Sequence, residues 1–267
     1  MNPAVDLSTS RVLVTGATGG LGGTIARSLH ARGARLVLSG RRANALESLA
    51  GELNADAVVA DLADPGDVDR LATDAGKIDV VVANAALPST GSFLDFDLAE
   101  LDRALAVNLG ANVRLAHHLV PPMVERGRGH MCFMGSISSR AALTGGAVYA
   151  TTKFGLRALA VALRGDLRGT GVGVSCVEPG FVRDAGMFAA TGVATPTGMR
   201  TVSPDQVAAA VIEAIERDRG EVVVAPLEVR AFANLALAFP RTANAIAGSA
   251  AMRHLTEEIV AAQRHTR

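Results

Sequence analysis

The only tyrosine in the 267-residue chain, Tyr149, stands four residues before a lysine in Tyr149-Ala150-Thr151-Thr152-Lys153, and Ser136 lies upstream of it. The chain has no tryptophan and 8 phenylalanines, so a chance Tyr-x-x-x-Lys match in so aromatic-poor a sequence is rare. On a helix, residues four apart share a face. A phenol beside an ammonium is a proton donor whose pKa the cation lowers. Taking an effective dielectric near 20 and a separation of about 4.5 Å, the interaction is roughly 3–4 kcal/mol, or about 2–3 pKa units before desolvation. The spacing therefore predicts a tyrosine able to exchange a proton with a substrate oxygen near neutral pH.

The other end of the chain supplies a site for such a proton to matter. Residues 11–15, Arg-Val-Leu-Val-Thr, read as a buried strand; Gly16-Ala17-Thr18-Gly19-Gly20-Leu21-Gly22-Gly23 follows, and then a helical run. Glycines at such a turn let the backbone approach a pyrophosphate, which rests on the helix N-terminus. The glycines fall at 16, 20 and 22, not in the commoner G-x-G-x-x-G spacing, and alone they also fit an ordinary strand-to-helix loop.

Together these segments resemble the short-chain dehydrogenase/reductase family, over residues 11 to about 225. Thr15-Gly16-x-x-x-Gly20-Leu21-Gly22, with Thr18 inside it, is similar to the family's cofactor motif, and Asn84-Ala85-Ala86 to its Asn-Asn-Ala-Gly segment. Asn108, Ser136, Tyr149 and Lys153 match the active-site positions; Pro179-Gly180, followed by Val182, matches the turn after the sixth strand. The resemblance implies that Ser136 fixes a carbonyl oxygen, that Tyr149 protonates it as hydride arrives, and that Lys153 serves both the phenol and the nicotinamide ribose. It also implies that Asn108 holds a water linking Lys153 to solvent. Ser138 and Ser139 rival Ser136, which the family spacing favours, and Asn108 also reads as an interruption in a long helix.

Cofactor choice is read from Leu38-Ser39-Gly40-Arg41-Arg42. Glycine stands where an acid would bond the ribose hydroxyls of NAD. Arg41 and Arg42 follow, and a guanidinium grips a 2′-phosphate bidentately, so NADP(H) is expected over NAD(H). The alternative is a pair of solvated arginines at a helix start. Asp61-Leu62 would border the adenine, unless Asp61 is only a loop residue before an N-cap at Asp64. In one departure, Asp184 occupies the position where the family has a threonine that bonds the nicotinamide carboxamide; Arg183 beside it could neutralise the charge.

Positioning these groups requires an alternation of elements. Apolar strand candidates fall at 11–15, 35–39, 56–60, 78–83, 130–135, 172–178 and 221–225. Helical patterns fall near 20–32, 43–53, 66–75, 98–125, 149–169 and 204–217. Crossovers of that length force parallel pairing with helices on both faces. The expected fold is α/β, a Rossmann-type doubly wound parallel sheet of about seven strands. Residues 1–267 read as one cofactor-binding and catalytic domain, with 226–267 a helical extension.

Composition agrees. Hydrophobic residues make up 49% of the chain and formal net charge is zero, with no basic cluster of the kind nucleic acid requires. No apolar run reaches the ~20 residues of a membrane span, and no secretory signal is read, so a cytoplasmic home is expected. Cys132 and Cys176 read as buried thiols, and His117 and His118 suggest no metal site. A lid is expected over 184–203, with Met187, Phe188, Val193 and Met199 beside Leu87, Phe93, Leu143 and Phe181 at an apolar substrate pocket. The segment 231–239 is too short to span a bilayer and could touch a membrane surface, cover the substrate mouth or join subunits. The resemblance implies a homodimer or homotetramer through the helices at 98–125 and 149–169, with small residues Ala150, Gly155, Ala158 and Ala162 allowing close approach. The expected activity is hydride transfer between nicotinamide and a small apolar carbonyl or alcohol. The alternatives are a catalytically silent NADP-binding regulator and a nucleotide-assisted epimerase or dehydratase of the same fold.

Overall fold

The computed structural model of the chain describes residues 5–194, 200–239, 241 and 250–263. Seven strands form one sheet: β1 (Arg11–Thr15), β2 (Arg35–Gly40), β3 (Asp56–Val59), β4 (Val80–Ala83), β5 (Gly129–Met134), β6 (Val172–Pro179) and β7 (Glu221–Val224). All pairs are parallel, in the order β3-β2-β1-β4-β5-β6-β7. Strands covered on both faces read as continuous apolar runs. Val80–Ala83 and Gly129–Met134 are buried along their whole length for that reason.

The helices are α1 (Gly20–Ala31), α2 (Ala43–Leu53), α3 (Pro65–Asp74), α4 (Leu98–Leu105), α5 (Ala111–Glu125), α6 (Ala147–Asp166), α7 (Gly186–Ala189), α8 (Pro204–Glu216), α9 (Leu227–Ala238) and α10 (Ala250–Gln263). One core lies between the sheet and α1, α2 and α8, built on Ile25, Leu46 and Val211. The other lies beneath α3, α5 and α6, built on Leu71, Leu115 and Leu156. Strand alternation sends Cys132 into the first core and Cys176 into the second, both wholly buried, so the two thiols face opposite sides of the sheet. Burial pushes both up, Cys176 to about 12, which leaves them neutral.

The expected single helix over 98–125 is divided. Between α4 and α5, residues Ala106–Gly110 form a π-helical turn, a local widening that frequently marks a functional site. Its cause is tertiary. Asn108, wholly buried, accepts from the Leu87 backbone N–H at 2.6 Å and donates to the Leu87 carbonyl at 3.0 Å. Asn112 in turn donates to the Asn108 carbonyl at 3.0 Å. The extra residue in the turn lets Asn108 reach the loop after β4 while the backbone remains bonded.

Sheet order reverses between β1 and β4, where ligands enter doubly wound sheets. The loops after β1, β4, β5 and β6 open together at this end. Among the described residues, no helix is long and apolar enough to cross a membrane.

Candidate active site

The turn between β1 and α1 is held by two glycines. Gly16 has φ +65°, and a Cβ there would lie 2.8 Å from Ala85 Cα. At Gly22 a Cβ would lie 2.2 Å from the Gly16 carbonyl oxygen. Only hydrogen fits at either place, so the first turn of α1 folds tightly back onto the strand end. Thr15 ties this turn to β4: its Oγ1 accepts from the Asn84 and Ala85 N–H groups at 3.0 and 3.1 Å. The Asn84 amide donates to the Thr15 and Gly16 carbonyls at 3.1 and 3.3 Å. The result is a preformed cradle at a helix N-terminus, with no acidic residue in the first turn of α1 to repel an anion.

The cradle opens into a cleft of about 820 Å³. Its phosphate side is lined by Gly16, Thr18, Gly20, Leu21 and Gly22, and by Gly40, Arg41 and Arg42 at the end of β2. Asp61, Leu62, Asn84 and Ala85 continue the wall, and Pro179, Gly180 and Val182 close it beyond β6. The exposed Arg42 guanidinium, at the start of α2, donates to the Thr18 carbonyl at 2.5 Å and so braces the glycine turn. A Cβ on Gly40 would lie 3.0 Å from Thr18 Oγ1, so an acid in its place would press on that loop. Asp61 pairs with Arg103 of α4 at 3.0 Å, while Asp64 separately caps α3 by accepting from the Gly66 N–H at 2.8 Å. Burial raises the Asp61 pKa, but the Ala63 N–H, Arg103 and Arg41 outweigh it and hold the carboxyl below its usual range.

Ser136, Tyr149 and Lys153 meet at the other side of the same cleft. Ser136 follows β5 in extended conformation and accepts from the Ser138 N–H at 3.1 Å. Its side chain also stands near enough to the Tyr149 hydroxyl to lower the phenol's pKa. Ser139 is spent elsewhere: wholly buried, it donates to Glu178 at 2.5 Å. Ser138 lines the cleft without contacting the phenol in this way. Behind these residues, Arg140 forms a bidentate pair with the wholly buried Glu178, at 2.7 and 2.8 Å, and reaches Glu221 of β7 at 2.9 Å. This network fixes the serine loop to the strand ends. Nothing in the spacing of Ser139, Arg140 and Glu178 announces it.

Two expectations about the proton donor are corrected. The Tyr149 pKa is raised, not lowered. Burial is the larger influence, and the Ser136 side chain only partly offsets it. Lys153 does share the helix face, but its ammonium donates to the Met134 carbonyl at 2.8 Å and stands 5.6 Å from the Tyr149 ring centroid. Burial pushes Lys153 itself down to about 8. The Coulomb figure from spacing stands before desolvation, and burial is the largest influence on both groups.

The remaining positions singled out from the sequence separate by place. Asn108 is beside the cleft but not on its wall; its side chain positions Leu87, which is. Leu143, Phe181, Met187 and Phe188 line the cleft, and the Phe181 and Phe188 rings meet at 4.9 Å between centroids. Phe93 is 58% exposed and Val193 lines a separate shallow hollow, so neither contributes to the wall; Met199 lies outside the described residues. Asp184 lines the cleft in a left-handed conformation, φ +66°, and pairs with Arg183 at 3.3 Å. In α9, Phe232 and Ala236 pack on Ala141. Cover over the cleft comes instead from α10, through Ile259, Ala262 and Gln263, which no motif distinguished. No group of three or more side chains able to hold a metal ion occurs among the described residues.

A family model described as short chain dehydrogenase matches residues 10–194. The ketoacyl reductase HetN of Nostoc sp. is 34% identical over 229 residues, 82% of this chain and 79% of that protein. The 1-deoxy-11-beta-hydroxypentalenate dehydrogenase of Streptomyces exfoliatus is 37% identical over 225 residues, 80% of this chain and 82% of that one. Among solved structures, a short-chain dehydrogenase from Sphingobium yanoikuyae in complex with NADPH is similar with a TM-score of 0.74 and 29% identity, covering 83% of this chain and 90% of that one. A fold, a matched span and relatives that agree to this extent make the chain a member of the short-chain dehydrogenase/reductase family, an NAD(P)-dependent oxidoreductase acting on CH–OH and C=O groups.

Proposed function

We propose that the whole chain works as one NADPH-preferring unit that reduces an apolar ketone, or oxidises the corresponding alcohol. The observation that carries this reading is the meeting of Ser136, Tyr149 and Lys153 with the glycine cradle in one cleft. The cradle fits a dinucleotide, because at Gly16 and Gly22 a Cβ would run into the Ala85 and Gly16 backbone and the Asn84 amide, so only glycine keeps the turn tight enough for a pyrophosphate to approach the helix N-terminus. Residues Gly16–Gly22, Asp61, Leu62, Asn84, Ala85, Pro179, Gly180 and Val182 would hold it, with Lys153 at the nicotinamide ribose. Bound there, the nicotinamide supplies or accepts the hydride.

The chain's own residues handle the proton. Ser136 has its acceptor side engaged by the Ser138 N–H, so its hydroxyl proton is available to Tyr149 or to a substrate oxygen. Tyr149, its pKa raised by burial, carries its proton at rest and delivers it to the carbonyl oxygen. Lys153, with a pKa of about 8, is largely cationic at pH 7 and offsets the phenolate left behind. Leu87, Leu143, Phe181 and Phe188 offer an apolar surface to the substrate body.

Preference for NADPH is supported by Gly40 at the position of the ribose-binding acid and by Arg41 on the cleft wall. With Arg42 bonded to Thr18, Arg41 is the guanidinium assigned to the 2′-phosphate. The NADPH-bound relative supports the same choice. Exposed Leu105, Val113 and Val161 on α4, α5 and α6 support assembly into a dimer or tetramer. Ala158 and Ala162 face outward there; Ala150 is buried within the chain, and a Cβ on Gly155 would meet Leu109 at 3.1 Å. Two neutral buried thiols suit a reducing cytoplasm.

A panel of ketones with each reduced nicotinamide cofactor tests the reading. Wild type should favour NADPH in kcat/KM by roughly 10–150-fold, the worth of one charge-assisted contact. Arg41→Ala should erase most of that preference while NADH use stays nearly unchanged. Tyr149→Phe should lose about 10²–10⁴-fold in kcat with cofactor binding kept. Equal use of NADH removes the phosphate assignment, and an active Tyr149→Phe removes the proton donor.

A further inference from the structure

Behind the cleft, two carboxylates and two guanidiniums join the segments that carry Ser136 and Tyr149. Arg140, at the end of the serine turn, grips Glu178 of β6 at 2.7 and 2.8 Å and reaches Glu221 of β7 at 2.9 Å. Arg157 of α6 donates to the same Glu221 oxygen at 2.5 Å and stands 3.9 Å from Glu178. Tyr149, Lys153 and Arg157 follow one another at intervals of four, so they share one face of α6. The Ser139 hydroxyl lies between Glu178, at 2.5 Å, and the Ser136 carbonyl, at 2.6 Å. Gly135 brings the loop this close to β6: a Cβ there would lie 3.1 Å from Glu178 Cγ.

We propose that Glu178, Glu221, Arg140 and Arg157 act as a positioning quartet that sets the Ser136 hydroxyl against the Tyr149 phenol. The assignment rests on the reading above in which these two residues handle the proton. One side of their contact runs from Glu178 through Ser139 and Arg140 into the short turn whose Ser138 N–H orients Ser136. The other side runs from Glu221 through Arg157 along α6 to Tyr149. Both sides are thus referred to carboxylates on two paired strands, β6 and β7. Stability alone does not account for the arrangement. The Glu178 side chain is wholly buried and that of Arg140 is 10% exposed. An ion pair so enclosed gains little over apolar groups of the same size, because both charges must be desolvated. What it supplies is direction. A bidentate guanidinium fork holds one orientation, whereas aliphatic contact permits sliding. The formal charges balance two against two, so the quartet stands behind the phenol without adding net charge there.

The test uses the full chain and reads the contact through Tyr149, the sole tyrosine in a chain without tryptophan. Arg157→Met and Arg140→Lys should each raise the alkaline midpoint of the phenol in the folded, cofactor-free protein, because the serine that lowers it is no longer held in place. In the reduction of 2-nonanone, kcat should fall by roughly 10–10²-fold, the effect of a misplacement of about 1 Å. KM and NADPH affinity should stay within about twofold. Arg157→Lys keeps one charged contact and should recover part of kcat. Added to Ser136→Ala, neither substitution should move the midpoint further or lower kcat by more than about twofold, since the contact they serve is already gone. A midpoint that neither variant moves overturns the proposal. So do losses confined to KM or NADPH affinity, and effects that add in full to those of Ser136→Ala. Should Arg140→Lys fail to fold, Arg157→Met carries the test from a side chain that is 23% exposed. If wild type binds NADPH but does not turn over 2-nonanone, the reductase reading fails on its own account, and the absorbance comparison with Ser136→Ala decides the positioning alone.

Discussion

Lys153 is 3% exposed, and burial takes its pKa from the ordinary 10.5 to about 8. That displacement has a stability consequence. Between pH 8 and 10.5 the unfolded chain holds a proton on this lysine that the folded chain has shed, so wild-type stability rises with pH across the window. Below about pH 8 both states are protonated and the penalty is complete, about 3 kcal/mol at 1.36 kcal/mol per unit. Lys153→Met keeps the length and removes the charge. It also strips the Met134 carbonyl of its 2.8 Å donor, a loss of about 1 kcal/mol. The variant should therefore be more stable than wild type at pH 7 by about 2 kcal/mol, a rise in Tm of roughly 4–8 °C, although inactive. The gain should shrink from pH 8 upward and vanish by about pH 10 as the wild-type lysine loses its proton. The assay is thermal and urea unfolding of both proteins without cofactor at pH 7, 8, 9 and 10. The chain has one other lysine, Lys77, which contributes to both proteins and cancels. A variant less stable at pH 7, or a difference that does not change with pH, would refute the reasoning.

Because Tyr149 is the sole tyrosine and there is no tryptophan, its ionisation can be followed alone by ultraviolet difference absorbance. The folded protein should ionise above the ordinary 10.0 and the urea-unfolded chain at it, so the phenol's contribution to stability is lost as pH rises through the folded value. Ser136→Ala should move the folded midpoint higher still, since the serine lowers it; an unchanged midpoint would separate the two residues. Arg140→Met should cost about 3–5 kcal/mol in urea unfolding by stranding the buried Glu178, and Glu178→Met added to it should recover part of that loss. Gly22→Ala should weaken NADPH binding by roughly tenfold or more with the circular dichroism spectrum preserved, because a Cβ 2.2 Å from the Gly16 carbonyl must spread the cradle.

What the chain reveals on its own is what short-range spacing controls. Glycines at 16, 20 and 22 after an apolar run specify a tight strand-to-helix turn whatever surrounds it. Tyr149 and Lys153 share a face because the helix repeat puts them there. Continuous apolar strands separated by helical stretches leave parallel pairing as the workable arrangement, and the seven strands lie where that pattern puts them, to within a residue or two at most ends. Only the tertiary structure decides quantities that depend on distant neighbours. The π turn at Asn108 exists because Leu87, in another loop, offers its backbone N–H and carbonyl. The Tyr149 pKa moves opposite to the direction that local charge suggests, because enclosure by the sheet and the loops outweighs the influence of Ser136. Arg140 and Glu178 are a remote pair in sequence and a bidentate ion pair in space. The approach of α10 to the cleft follows no motif, since Ile259, Ala262 and Gln263 line it only because of where the chain returns. Local pattern determines which chemistry is available; long-range burial and contact determine the proton affinities and the shape of the space in which it occurs.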